Sequence, residues 1–325
     1  MRFCSYSSFA WLLVCMVGAN GQEMFEFSHL FVYETVERLR MLRGRMFRRN
    51  DPKEEIRIRS GSGLGDGIYL YSIVKYLANE NKKTPIKVFC KWKDVFLPLG
   101  DRITVEEFSR AHINTLAHYS MRKQVKGTNQ FEDMWIQAGI DKSKVKADFD
   151  WTPTIGPKRD DLVPAIKEAA KGKPILCVRF PTMPMGRKDN FAVELLPQAG
   201  PFIKAVARLK QRFFVVQIGS GKCLTEIPQE LIDIDFAGKT TLPQMFDIAY
   251  NADAFFGQCS FIIPLSEGMA KPGLICFSER GMKSRDRFIS SITPEKIIHR
   301  KDILKTFIDT DSEASIFAAC DSILP

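Results

Sequence analysis

The 325-residue chain has no run of 18 or more apolar residues, the length a helix needs to cross a bilayer, so no spanning helix is expected. Histidine is scarce, and His29, His112, His118 and His299 are too dispersed for zinc-ligand spacing. The eight cysteines include no C-x-x-C pair, and Cys259 has no histidine nearby in the sequence to activate it, which argues against a thiol enzyme. No N-x-S/T acceptor occurs, and no repeat of 20 to 50 residues is visible. What is present is ordinary for a globular chain: 45% apolar and 26% charged residues exclude a disordered or fibrous class. The length suits two domains of usual size. Lysine plus arginine number 47 against 38 acidic residues, a net charge of +9. That excess favours an anionic partner such as a nucleotide, a phosphorylated glycan, an anionic membrane or nucleic acid, without choosing among them.

Arg2, the apolar run Phe9 to Val17 and the small residues Gly18, Ala19 and Gly21 outline a secretory signal, with Met24 as an alternative start. Against export, Cys90, Cys177 and Cys276 each sit alone inside apolar β-like runs, as buried thiols would. The expected location is therefore cytoplasmic, with a peripheral membrane contact left open. Residues 1–23 are then a signal-like or spurious leader. Residues 24–49 read as an amphipathic helix whose end is crowded by Arg38, Arg40, Arg43, Arg45, Arg48 and Arg49. Such a helix either packs on its domain with cations at its carboxyl end or lies on an anionic membrane or nucleic acid.

From residue 56 the pattern becomes strand, loop, helix. Strands are expected at 56–59 and 85–90, with helices at 68–78, 104–121 and 129–139. Trp151 to Pro157 has linker composition. Beyond it, helices at 160–170, 193–212, 242–251 and 264–270 alternate with strands at 174–180, 213–218, 254–257 and 273–277. Alternation at this spacing predicts an α/β fold: two Rossmann-like domains, 24–155 and 156–325, facing a cleft. Ligands in such sheets bind at the carboxyl ends of the strands.

The strongest local signal is the turn Gly61-Ser62-Gly63-Leu64-Gly65-Asp66-Gly67 between a strand and a helix. Its glycines Gly61, Gly63, Gly65 and Gly67 let the backbone turn tightly and approach a ligand, and the following helix offers amides to an anion. The turn matches neither the dinucleotide fingerprint nor the phosphate loop. Asp66 is either a helix N-cap or, in a cleft, a general base. Asp148-Phe149-Asp150, Asp233-Ile234-Asp235 and Asp309-Thr310-Asp311 each fit a D-x-D metal pattern, but three scattered copies read as chance.

A second set of signals follows: Phe236-Ala237-Gly238-Lys239-Thr240-Thr241-Leu242, then Ala252-Asp253 to Cys259-Ser260, then Pro264 to Gly273. With the first turn and with Phe131 to Ile140, they resemble GT-B glycosyltransferases, most closely the ADP-heptose heptosyltransferases of glycosyltransferase family 9. The resemblance spans roughly residues 55–280 and is one of pattern. It implies transfer of a sugar from a nucleotide-sugar donor to a hydroxyl on a glycan, glycolipid or other acceptor. Inversion at the anomeric carbon and no cofactor or metal are further implications. Asp66 would be the base. Arg179, Thr182 and the Arg187-Lys188 pair would meet the donor phosphates, although two adjacent cations are as often a solvated turn. Ser260 would join the donor site, and Glu267, in a segment also similar to one in other GT-B enzymes, would meet the donor ribose unless it is a solvent-facing helix residue. The chain departs from the family where Cys259-Ser260-Phe261 replaces D-S-G and Pro264 replaces a histidine. Losing that glycine limits backbone approach to a phosphate. The pattern therefore also fits a non-catalytic member with a degenerate donor site, and the basic helix a nucleic-acid-binding or base-modifying protein.

Overall fold

The computed structural model describes residues 55–59, 63–106, 111, 113–115, 128–144, 162–180, 199–219, 227–279, 298 and 300–323. All of them fall within one compact body, Glu55–Pro325. The leader, the basic helix at 24–49 and the linker at 151–157 lie outside the described residues. No described helix is long and apolar enough to cross a membrane.

The first sheet is built from β1 (Ile56–Arg59), β2 (Ile86–Phe89), β3 (Ile103–Glu106) and β4 (Ile113–Asn114), in the order β3-β2-β1-β4. Every pairing is parallel. Because side chains alternate along a strand, Ile58, Ile86, Val88 and Ile103 share a buried face while Arg57 and Lys87 point the other way. Helix α1 (Leu64–Glu80) connects β1 to β2 and buries Ile68, Ile73, Val74 and Leu77. Helix α2 (Gln130–Gln137) starts with a capping box: Asn129 accepts from the Glu132 amide, and Glu132 accepts from that of Asn129. Its Trp135 ring lies 5.2 Å from that of Tyr76 on α1. Where the expected helix at 104–121 is described, it is replaced by strands. Ile103-Thr104-Val105-Glu106 pairs with β2 and Ile113-Asn114 with β1. Three successive β-branched residues, Ile103, Thr104 and Val105, after the Gly100-Asp101 turn favour a strand over a helix there.

The second sheet holds β5 (Ile175–Arg179), β6 (Phe214–Gln217), β7 (Ile234–Asp235), β8 (Ala254–Gln258), β9 (Gly273–Phe277) and β10 (Ile303–Phe307). Its spatial order is β7-β6-β5-β8-β9-β10, again parallel throughout. Helices α3 (Leu162–Ala170), α4 (Ala199–Lys210), α5 (Leu242–Asn251), α6 (Ile262–Gly268) and α7 (Glu313–Ser322) accompany it. The four expected strands appear within a residue of their expected ends, whereas β7 and β10 were not foreseen. Alternation divides the core in two. Ile175, Cys177, Phe255 and Ile275 join one continuous cluster with Ile58, Val88 and α1 of the first sheet. Leu176, Val178, Phe256 and Leu274 face a smaller cluster with α4 and α7.

Candidate active site

Reading outward from its first strand, the second sheet runs first-second-third on one side and fourth-fifth-sixth on the other, so the chain changes direction between β5 and β8. The first sheet does the same between β1 and β4. Crevices for ligands open at such switch points, beyond the carboxyl ends of the strands. Arg59 ends β1, Arg179 ends β5 and Gln258 ends β8, so the loops that follow them define the site.

At the first switch point α1 begins at Leu64 with Gly63 as its N-cap, a residue with no side chain to accept from the helix amides. Asp66 is thus the third residue of the helix and not its cap, correcting that alternative. A carboxylate in the first turn interacts favourably with the helix dipole. Asp66 is 9% exposed. A β-carbon on Gly63 would stand 3.2 Å from Asp66 Oδ2, so the bare glycine leaves the carboxylate its room. Gly67 gives the same latitude toward Cys90 Sγ, 3.3 Å from where its β-carbon would be. Burial pushes the Cys90 thiol up to about 11, and the Asp66 charge adds to that push.

The second switch point is organised around Arg179. Its guanidinium carbon lies 5.1 Å from the centroid of the Phe261 ring, a cation–π distance. Two glycines adjoin this residue, one beside its side chain and one against its backbone. A β-carbon on Gly219, whose φ is +118°, would approach Arg179 Cγ at 3.7 Å and Phe261 Cζ at 3.8 Å. One on Gly257 would fall 2.8 Å from the Arg179 carbonyl oxygen. Phe261 also reaches the first switch point, because a β-carbon on Gly65 would sit 3.4 Å from Phe261 Cα and 3.6 Å from Pro264 Cγ. The Asp66 turn and the Arg179 end of β5 are therefore brought together through one residue.

Glu267 is not solvent-facing. It is 6% exposed, and its Oε2 accepts a 3.2 Å hydrogen bond from the Tyr69 hydroxyl on α1. Ser260 turns its hydroxyl back onto its own loop, donating to the Gln258 carbonyl at 3.0 Å. Gly61, Thr182, Arg187 and Lys188 lie outside the described residues. Lys239, from the glycine-lysine-threonine segment, pairs with Asp235 at 2.7 Å, while Gly238 donates its amide to the Gly219 carbonyl at 2.7 Å. Lys271 donates to the Tyr250 carbonyl at 2.6 Å and to that of Ala252, and its desolvation lowers its pKa.

The aspartates of the two described D-x-D copies have local work. Asp233 accepts from the Val215 amide and Asp235 from that of Ala237. Asp309 accepts from Ser278 and the Glu279 amide, and Asp311 from Thr306 and the Phe307 amide. Sequence reasoning missed Tyr69, Gly219 and Gly257, and it noted Phe261 only as a lost glycine. Tyr69 did carry a signal, since it lies three residues after Asp66 and so on the same helix face.

Two Rossmann-like sheets in tandem, with their switch points brought together, define the GT-B fold. No family model and no curated protein matches the sequence. Among solved structures, a glycosyltransferase family 9 protein from Veillonella parvula superposes with a TM-score of 0.55, at 10% identity over 83% of this chain and 97% of that one. The E. coli ADP-heptose LPS heptosyltransferase II gives a TM-score of 0.51, at 11% identity over 83% and 98% of the two chains. This chain spans 59% of the iron-containing dodecameric glycosyltransferase TibC from enterotoxigenic E. coli, with 68% of its own length covered, 15% identity and a TM-score of 0.45. The fold expected from the sequence is the fold of the family 9 protein and of heptosyltransferase II.

Proposed function

We propose that the protein transfers a sugar from a nucleotide-sugar donor to an acceptor hydroxyl, with inversion and without a metal. The observation that carries this reading is the bridge at Phe261, which touches the turn bearing a buried carboxylate and seats a cation at the end of β5. In the reaction the acceptor hydroxyl attacks the anomeric carbon and gives its proton to Asp66. The bond from that carbon to the donor phosphate oxygen breaks, and its electron pair leaves with the nucleoside diphosphate. Arg179 offsets the charge that develops there. The family-9 likeness of the fold supports a glycan or glycolipid acceptor. The buried thiols Cys90, Cys177, Cys276 and Cys320 support a reducing, cytoplasmic setting.

Thermal shifts with nucleoside diphosphates and their sugars test donor binding, because a ligand specific for the folded state raises the melting temperature. For a donor that stabilises the protein, Asp66→Asn is expected to lower release of nucleoside diphosphate by about 100-fold or more while leaving donor affinity nearly unchanged. Undiminished turnover in that variant overturns the role of Asp66. One observation favours a second reading, a GT-B protein that no longer transfers: a bulky ring lies against the cation where donor phosphates would dock. Absence of a shift with every nucleotide at millimolar concentration would decide for it.

A further inference from the structure

A guanidinium is planar, and its five N–H donors all lie in that plane. A ring over one face of such a group leaves its in-plane donors oriented for a forked grip on a phosphate, and the Arg179 guanidinium carbon stands 5.1 Å from the Phe261 centroid. The ring also restricts the side chain, which otherwise has several rotatable bonds to immobilise on binding. Helix α6, which follows Phe261, has seven residues and is too short to serve as an anion site in its own right. Gly219 lies in contact range of both the Arg179 side chain and the Phe261 ring, 3.7 and 3.8 Å from where its β-carbon would be.

We propose that Phe261 is the positioning residue of the donor site: its ring holds the Arg179 guanidinium edge-on to the diphosphate, so that discrimination for phosphate rests on the Arg179–Phe261 pair. This rests on the donor reading above. The test is calorimetric binding of ADP, UDP, GDP and CDP and of the matching nucleosides to the full chain, before and after substitution. For the nucleotide that binds, the ratio of diphosphate to nucleoside affinity is expected to fall about five-fold in Phe261→Leu and in Phe261→Met. Phe261→Tyr, which keeps the ring, is expected to preserve it. A loss of folding stability alone lowers both affinities and leaves the ratio where it was. An unchanged ratio in the Leu or Met variant overturns the role of Phe261 and leaves the donor site standing. That role is overturned equally if the ratio in the Tyr variant falls with the others. No diphosphate binding by the unsubstituted chain overturns both this inference and the donor reading.

Discussion

A single missing β-carbon decides how close two strands can come at the site. Gly257 faces the Arg179 carbonyl in the parallel β5–β8 pairing, and a methyl there would lie 2.8 Å from that oxygen. The backbone cannot yield without disturbing a sheet buried on both faces, so Gly257→Ala is expected to cost about 1–3 kcal/mol, read as a lower denaturation midpoint. The thiols give a second expectation at this scale. Burial pushes Cys90 up to about 11 and Cys177 and Cys320 up to about 12, from an ordinary value of 9.0. Below pH 9 these thiols are protonated in both the folded and the unfolded chain. Between 9.0 and about 11 to 12 only the unfolded chain ionises there, so stability is expected to fall as pH rises through that window. Urea titrations at successive pH values check it, with a flat or rising midpoint as the contrary result.

Elements owe their ends to short polar signals that were legible, and their pairing to contacts that were not. Helix α5 starts at Leu242 because Thr241 accepts from the Gln244 amide while Gln244 accepts from that of Thr241. Thr241→Ala is expected to cost about 1 kcal/mol, measurable as a shifted thermal midpoint. Its boundaries, 242–251, are those the sequence pattern predicts, because a capping box and a clear apolar period point the same way. Strands β5, β8 and β9 were equally plain, being short apolar runs between turn residues. In the first sheet, β3 was hidden because a four-residue strand, Ile103–Glu106, is too short to outweigh the helix-compatible residues that follow it. Register is set by pairs invisible in sequence: Asp253 accepts from the Ile175 amide at 2.7 Å and donates its own amide to the Ile175 carbonyl at 2.8 Å, clasping the start of β5. The segment Ala252-Asp253 thus works at the end of the sheet opposite the site. Of the candidate site, the Asp66 turn stood out as glycines between a strand and a helix, while Arg179 was singled out only through the family resemblance. Tyr69 as the partner of Glu267 was not, since their contact spans 198 positions in the chain.

At the scale of the whole molecule the two sheets follow one plan, a first strand flanked by its second and third on one side and its fourth on the other. They do not, however, stand as separate globules. The larger apolar cluster runs from Ile58 and Val88 through Ile68, Leu70 and Ile73 of α1 to Ile262 and Leu265 of α6 and on to Cys177 and Phe255. The Tyr69–Glu267 bond lies within this seam, buried and polar. A buried hydrogen bond of this kind contributes little net energy when made, yet leaves an uncompensated desolvation penalty when broken, so it favours one docking of α1 on α6 over neighbouring ones.

That shared seam bears on how the protein can be taken apart. Domains are usually dissected at their linkers on the premise that each owns its core. Here a cut between residues 145 and 161 would divide one continuous apolar cluster, with part of the α1 surface on one fragment and Ile262, Leu265 and Phe255 on the other. The halves share one interior, so fragments separated there are expected to aggregate where the whole chain stays dispersed.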